Sequence, residues 1–123
     1  MLVNPCHCIQ KDQYFILSDD GDHFIKVFHT DGDFLYKFGN EGDESKEFDH
    51  PRCLSVDKAG HLMVCDSGND TVQILELNGK FIANFELMSN GIEECFGPVS
   101  TAVLSDGRIV VSNFCNDCIQ LIE

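Results

Sequence analysis

An acidic or amide side chain recurs at one fixed interval along this chain. Asp19, Asp66 and Asn113 are separated by 47 residues at each step. Carboxylates grouped in space can hold divalent metals or exchange protons with a substrate, so these positions invite a metal or acid–base interpretation. Each one, however, ends an apolar run at the same place in its unit. A short acceptor there can bind turn amides that otherwise lack a partner, so we predict a structural role.

Two cysteines have the spacing of a zinc or redox pair. Cys115 and Cys118 form a C-x-x-C motif. A structural zinc site needs two further ligands, and the only comparable cluster, Cys6-His7-Cys8, belongs to the first unit. The preceding unit has Gly68 and Thr71 at the two positions, and both are ordinary turn residues. We therefore expect partly buried thiols here and predict no metal ligand.

Other candidate chemistry is weaker. The acidic segments 19–22 and 31–33 lack the D-x-D-x-D-G pattern and the later glutamate of an EF-hand, so turns are the better interpretation. The five histidines do not recur at equivalent positions, and no glycine-rich phosphate loop is present in the sequence. No Ser or Cys nucleophile paired with a base can be identified. The sequence thus predicts no catalytic residue, no bound metal and no cofactor.

The interval of 47 residues extends to other residue types, which shows that the chain is built from repeats. The same step separates Gly32 from Gly79, Phe34 from Phe81, Phe38 from Phe85 and Asn69 from Asn116. Pro5, Pro51 and Pro98 step by 46 and then 47 residues. A period of 40 to 50 residues that holds several short strands is typical of a propeller blade. We predict an all-β chain with radially arranged sheets.

Superposition of the copies predicts four strands in each unit. In the second copy they are centred on residues 54–56, 62–64, 72–74 and 81–85. The second strand is wholly apolar, whereas the third alternates as expected for a strand with one buried face. Glycine turns such as Ala59-Gly60 and Asn78-Gly79 connect antiparallel neighbours. No long stretch has a 3.6-residue apolar period, so we expect almost no helix.

The unit resembles the NHL repeat, whose core reads V-x-D-x-x-N-x-x-I-Q-V-F before a glycine turn. The middle copy has this pattern with Asp66, Asn69 and Gln73. The first copy departs from it, since Asp22 replaces the asparagine and Lys26 replaces the glutamine. Residues 97–123 resemble the last blade of NHL propellers in tripartite-motif (TRIM-NHL) ubiquitin ligases. We predict a partial, open NHL β-propeller with blades at about 5–47, 51–94 and 98–123, the last without its outer strand.

Composition limits the class of protein. The 123 residues have single-domain length, and 43% apolar residues with ten phenylalanines are enough for a core. The net charge is −13. No apolar run is long enough to span a membrane, and no secretory signal is recognisable. With seven scattered cysteines and no signal, we expect reduced thiols in a cytoplasmic chain.

Ring closure is the main structural question that the repeats raise. Propellers use about four to eight blades to remove exposed sheet edges. This sequence supplies two blades and three strands of a third. An open arc would leave apolar blade faces and an unpaired strand in water. We expect the rest of the propeller to come from a longer parent chain or from self-association of copies.

The loops after the second and fourth strands emerge on one side of the predicted propeller and are strongly acidic. This acidic loop face has one lysine, Lys46, and twelve of the 21 acidic residues: Asp20, Asp22, Glu41, Asp43, Glu44, Glu47, Asp49, Asp70, Glu86, Glu93, Glu94 and Asp117. It is either a solvated surface that aids solubility or a docking surface for a protein partner. A partner that fits it has a basic or polar patch.

The resemblance implies a non-catalytic recognition module. In TRIM-NHL proteins this region selects substrates or other partners for a ubiquitin ligase whose RING and B-box modules lie upstream. Two alternatives stay open: a fragment of a metal-dependent NHL-type lyase or hydrolase, and an RNA-binding NHL propeller. RNA binding is disfavoured because the acidic loop face repels phosphates, and the chain has no Trp and two Tyr for base stacking.

Overall fold

The computed structural model describes residues 2–39, 48–69, 71–86, 98–113 and 118–122. Its strands are β1 (Pro5–Lys11), β2 (Tyr14–Asp19), β3 (Phe24–His29), β4 (Phe34–Gly39), β5 (Pro51–Val56), β6 (Leu62–Asp66), β7 (Thr71–Leu75), β8 (Phe81–Glu86), β9 (Pro98–Val103), β10 (Ile109–Asn113) and β11 (Cys118–Ile122). A single 3-10 turn, Ser67–Asn69, is the only helical element of these ranges. The predicted all-β fold is confirmed. Within the same ranges, no helix is long and apolar enough to cross a membrane.

The strands form three separate antiparallel sheets, which we call blades 1, 2 and 3. Blade 1 has the order β1-β2-β3-β4, blade 2 the order β5-β6-β7-β8, and blade 3 the order β9-β10-β11. Strands that are adjacent in sequence are therefore adjacent in space. As predicted, the described part of blade 3 lacks a fourth strand. The expected blade limits at residues 47 and 94 lie outside the described ranges and stay a prediction.

Glycines at left-handed positions close the turns between strands. Gly32 and Gly79 have φ angles of 103° and 93° between the third and fourth strands of their blades. Their N–H groups donate to the carbonyl oxygens of His29 (2.9 Å) and Glu76 (2.8 Å). Glycine adopts this conformation without the steric cost that a Cβ atom brings. The repeat of these glycines in the sequence is thus a repeat of turn geometry.

Apolar side chains fill the space between blades 1 and 2. Ile16 and Ile25 of blade 1 share one buried cluster with Val64 and Leu75 of blade 2. Phe48, three residues before β5, is fully buried in the same cluster. Burial of a side chain of this size contributes about 1.5–3 kcal/mol relative to its exposed state. The blade junction is therefore a true hydrophobic core.

The other side of blade 2 packs against blade 3. Met63, Cys65 and Val72 form a second buried cluster with Ile109 and Val111. Blade 2 is consequently covered on both faces, as the nearly complete burial of strand β6 shows. This explains why the sequence of β6 is wholly apolar until its final aspartate.

One face of blade 1 is open. It carries a cavity of about 310 Å³ lined entirely by apolar area from Leu2, Cys8, Phe15, Leu17, Phe28 and Gly32. Three of these lining residues have equivalents 47 residues later in blade 2. The equivalents of Phe15, Leu17 and Phe28 are Leu62, Val64 and Leu75, which are buried in the junction with blade 1. Leu2, 46 residues before the buried Phe48, is 46% exposed. The open face of blade 1 is therefore equivalent to the face of blade 2 that packs against blade 1.

Candidate functional site

The repeated aspartate of blade 1 joins three backbone segments. The carboxylate of Asp19, at the end of β2, accepts hydrogen bonds from the N–H groups of Val3 (2.8 Å), Asn4 (2.8 Å) and Gly21 (3.0 Å). It also accepts one from Lys26 Nζ at 2.9 Å. The side chain thus ties the segment before β1 to the turn between β2 and β3.

Lys26 is the residue that neutralises this buried group. Its side chain is 2% exposed, and Nζ lies 2.9 Å from Asp19 and 2.6 Å from Asp22. Burial opposes the charge of Lys26, but its hydrogen bonds to Asp22 and Asp19 outweigh that effect and raise its pKa. Burial likewise opposes the charge of Asp19, yet the backbone hydrogen bonds and Lys26 hold its pKa well below the usual range. Asp19 and Lys26 are therefore both charged at neutral pH.

The repeated aspartate of blade 2 has neutral partners instead. Asp66 accepts hydrogen bonds from the N–H of Asp49 (2.7 Å), from Asn69 Nδ2 (2.8 Å) and from Gln73 Nε2 (3.0 Å). Burial is the largest influence on this carboxyl and raises its pKa to about 6, although the three hydrogen bonds oppose the change. Asp66 is fully buried, and none of its described hydrogen-bond partners is a lysine.

The third repeated position is less fully described. Asn113 ends β10, and its backbone pairs with Cys118 of β11. Asn116 lies outside the described ranges. Asp19 and Asp66 each bind residues of their own repeat. Nothing in the described geometry joins the two carboxylates into one catalytic centre.

The described part of the acidic loop face mixes charges of both signs. Asp22 is paired with Lys26, while Asp20 Oδ2 lies 3.8 Å from Arg52 Nε and Asp20 Oδ1 lies 3.9 Å from His50 Nε2. Asp49 precedes β5 on the same side. The side chain of Glu86 is not described, and Glu41, Asp43, Glu44, Glu47, Asp70, Glu93, Glu94 and Asp117 lie outside the described ranges. Partner binding by this face stays a prediction.

Two histidines from different blades meet beside these acids. The N–H of His50, just before β5, donates to Nδ1 of His23 in the β2–β3 loop at 3.0 Å. Their ring centroids are 4.8 Å apart with perpendicular planes. Asp49 Oδ1 lies 2.5 Å from His50 Nδ1. Potential ligand atoms of His23, Asp49 and His50 all lie within 4.8 Å of one another.

Sequence reasoning missed this histidine cluster. His23 and His50 occupy unrelated positions of their repeats, so the search for recurring histidines excluded them. Both residues adopt left-handed backbone conformations, with φ angles of 65° and 58°, which are uncommon outside glycine. The one available signal was topological, because the loop after the second strand and the segment before the next blade lie on the same side.

A pair of cysteines lies at the junction of blades 2 and 3. The sulfur of Cys53 on β5 lies 3.5 Å from Ser100 Oγ on β9. A hydrogen bond from Cys65 on β6 lowers the pKa of Cys53 to about 5, and the same contact together with burial raises the pKa of Cys65. Cys6, Cys8, Cys53 and Cys65 are free thiols. Cys115 and the side chain of Cys118 are not described, so their predicted role stays untested.

The first strands of the blades also contact one another through polar groups. The N–H of Leu54 donates to His7 Nδ1 at 3.0 Å, and Ser55 Oγ lies 2.7 Å from Thr101 Oγ1. His7 of β1 therefore links blade 1 to blade 2. These contacts position the loops of neighbouring blades relative to each other.

The family model described as NHL repeat matches residues 48–75. These residues include Phe48 and strands β5, β6 and β7 of blade 2. The match covers the copy with Asp66, Asn69 and Gln73, the residues whose hydrogen bonds are described above. Residues 48–75 are thus similar to an NHL repeat. No curated protein matches the sequence significantly.

Solved structures identify the architecture. The chain is similar to the WD40 β-propeller domain of Doa1, with 21% identity, a TM-score of 0.74, and coverage of 95% of this chain and 36% of that one. Hydrazine synthase of Kuenenia stuttgartiensis is 15% identical with a TM-score of 0.77, and the match covers 99% of this chain and 33% of that one. Virginiamycin B lyase of Staphylococcus aureus is 13% identical with a TM-score of 0.68, and the match covers 98% of this chain and 41% of that one. The chain spans about a third to two fifths of these structures. It has a β-propeller fold, and together with the family match this supports an NHL-repeat propeller.

Proposed function

We propose that the chain is a non-catalytic protein-interaction module that acts as part of a larger NHL propeller. The observation that carries this proposal is the junction of blades 1 and 2. There, a rigid apolar core positions charged residues from two blades on one side of the fold, including Asp20 and Asp49 in loops and Arg52 at the start of β5. Binding residues on loops held by a rigid scaffold are a common arrangement in repeat folds.

The finer proposal is a role in substrate or partner recognition for a cytoplasmic TRIM-NHL-type ubiquitin ligase. It is supported by the resemblance of residues 97–123 to the last blade of such propellers and by the NHL match. Ligase activity would belong to other parts of the parent protein. The partner would be a protein with a basic or polar patch, because the net charge of this chain is −13. The same charge opposes tight RNA binding.

The open face of blade 1 supports the assignment to a larger propeller. Leu17 and Phe28 line its apolar cavity, and their equivalents in blade 2, Val64 and Leu75, are fully buried by blade 1. A further blade from a longer parent chain, or a second copy of this chain, would cover the cavity in the same way. Either occupant would remove exposed apolar surface of the kind that promotes association.

Charge reversal of the acidic loop face tests the proposed function. We expect a variant with Asp43, Glu44 and Glu47 changed to lysine to lose a protein partner that crosslinks to the unmodified chain. A matched control reverses Asp33, Glu76 and Asp106, which lie in turns at the opposite ends of the strands. Equal loss of the partner in both variants, or submicromolar salt-sensitive binding of hairpin RNA, would overturn the proposal.

A further inference from the structure

The cluster of His23, Asp49 and His50 has the composition of a metal site. Two imidazoles and one carboxylate offer ligand atoms within 4.8 Å of one another. This set of donors suits zinc and similar borderline divalent cations, whereas magnesium and calcium prefer oxygen ligands. His50 is 50% and Asp49 is 37% exposed, so an ion from solution can reach them.

Hydrogen bonds already occupy the candidate ligand atoms. His23 Nδ1 accepts the N–H of His50 at 3.0 Å, so a cation bound at this nitrogen would replace that hydrogen bond. His50 Nδ1 and Asp49 Oδ1 are 2.5 Å apart, so a cation that enters between them would have both groups as ligands. Ligand atoms on one zinc ion lie about 3.4 Å apart, so the exposed Asp49 and His50 side chains must separate by roughly 1 Å.

Asp20 supplies an independent observation. Its Oδ1 atom is inaccessible to solvent and has no hydrogen-bond partner among the described residues. This oxygen lies 3.9 Å from His50 Nε2. Binding of a cation at Nδ1 transfers the imidazole proton to Nε2, where a small rotation brings it to the unpartnered oxygen. A carboxylate that orients a metal-binding histidine in this way is a regular feature of zinc sites.

We propose that His23, His50 and Asp49 form a zinc-class binding site that joins the β2–β3 loop of blade 1 to the start of blade 2, with Asp20 orienting His50. The site bridges two blades, so the bound cation fixes their loops relative to each other on the acidic loop face. It is independent of the proposed protein partner, because the ligands belong to the chain itself.

Titration of the full chain with zinc under reducing conditions tests this site. We expect one equivalent to bind with micromolar or tighter affinity, seen as saturable heat of binding. Cobalt then serves as a spectroscopic probe. A nitrogen and oxygen set gives weak visible bands, whereas thiolate ligands add a strong near-ultraviolet band. The thiolate band, or no binding by the unmodified chain, would overturn the proposal.

Substitutions to asparagine separate ligand loss from misfolding, since asparagine tolerates the left-handed backbone at both histidines. We expect His23→Asn and His50→Asn to abolish the bound equivalent, and Asp20→Asn to weaken binding about tenfold or more. His61→Asn is the matched control, because His61 also lies beside an aspartate, with Nδ1 3.2 Å from Asp57, but has no second histidine. Unchanged affinity in the two histidine variants would contradict the site.

Discussion

Blades 1 and 2 each bury an aspartate at the end of the second strand but surround it with different side chains. These aspartates are Asp19 and Asp66. Around Asp19, blade 1 has Asp22 and Lys26, which are joined by a 2.6 Å ion pair. At the equivalent positions, 47 residues later, blade 2 has Asn69 and Gln73, both of which donate to Asp66.

The two differences compensate each other. Replacement of Asn by Asp adds one negative charge, and replacement of Gln by Lys adds one positive charge, so both clusters have a net charge of −1. The departure of the first copy from the NHL pattern is therefore one coupled change rather than two independent ones. A buried charge without a partner is costly, so either substitution alone should destabilise the blade.

The largest expected effect is the loss of the lysine from blade 1. Lys26→Gln leaves two carboxylates around a single amide and should lower the free energy of unfolding by about 3–5 kcal/mol at pH 7. The double variant with Asp22→Asn recreates the blade 2 chemistry and should regain more than half of that loss. Urea denaturation of the single and double variants measures the coupling. Additive effects of the two substitutions would show that the clusters are not equivalent.

The pH dependence of stability should differ between the blades. Because the folded pKa of Asp66, about 6, exceeds its unfolded value of 3.8, the folded state holds the proton more tightly. Its contribution to stability is therefore lost as pH rises from 3.8 through about 6, by roughly 3 kcal/mol. Asp19 acts in the opposite sense, since its depressed pKa gives stability above 3.8 that disappears as pH falls below that value.

Denaturation curves between pH 3 and pH 8 separate these contributions. We expect Asp66→Asn to remove the decline of stability between pH 4 and pH 7, after allowance for its own constant effect. Lys26→Gln with Asp22→Asn should instead shrink the stability that Asp19 contributes above pH 3.8, because Asp19 loses the lysine but keeps its three backbone N–H donors. A decline that persists in Asp66→Asn would assign it to another group.

We expect a smaller effect on stability when Asp22 of blade 1 is copied to the equivalent position of blade 2. Asn69→Asp places a second carboxylate beside Asp66, where Asn69 Nδ2 now lies 2.8 Å from Asp66 Oδ2. Repulsion should raise the pKa of Asp66 further and cost about 1–3 kcal/mol at pH 7, with a smaller loss at pH 5. Addition of Gln73→Lys should restore stability. Thermal unfolding of the three variants is sufficient, and failure of the lysine to rescue would limit the coupling to blade 1.

Cysteine reactivity gives the smallest and most local contrast between the blades. Cys53 and Cys65 of blade 2 correspond to His7 and Ser18 of blade 1, and Cys6 is the cysteine next to His7. Burial raises the pKa of Cys6, whereas Cys65 lowers that of Cys53 to about 5. Alkylation followed by mass spectrometry should show a Cys53 rate that is constant above pH 6 and a Cys6 rate that rises up to pH 9.

Cys65→Ser provides the matched variant for this measurement. It gives Cys53 the same serine neighbour that blade 1 has at Ser18. We expect the plateau in the alkylation rate of Cys53 to disappear and its pH profile to approach that of Cys6. An unchanged plateau would assign the low pKa to Ser100, which lies 3.5 Å from the sulfur.

The repeat, the strands and their order follow from the amino-acid sequence alone. Strand positions follow from alternating and apolar runs, and turn positions follow from glycines such as Gly32 and Gly79, because both signals act between residues close in the chain. Strand β1 has little apolar sequence. Only a short run around Cys8 is apolar, yet the strand spans Pro5–Lys11, because its pairing with β2 supplies the hydrogen bonds that propensity does not.

The chemistry between blades depends on tertiary packing. The sequence shows Asp19 and Asp66 as equivalents, but their pKa values shift in opposite directions. Burial dominates at Asp66, whereas the backbone N–H groups of Val3 and Asn4, together with Lys26, outweigh burial at Asp19. His23 and His50 stand 27 residues apart at unrelated positions of the repeat and meet because the apolar faces of two blades pack together. Side-chain periodicity specifies a blade, whereas contacts between loops depend on how whole blades pack, which no local pattern encodes.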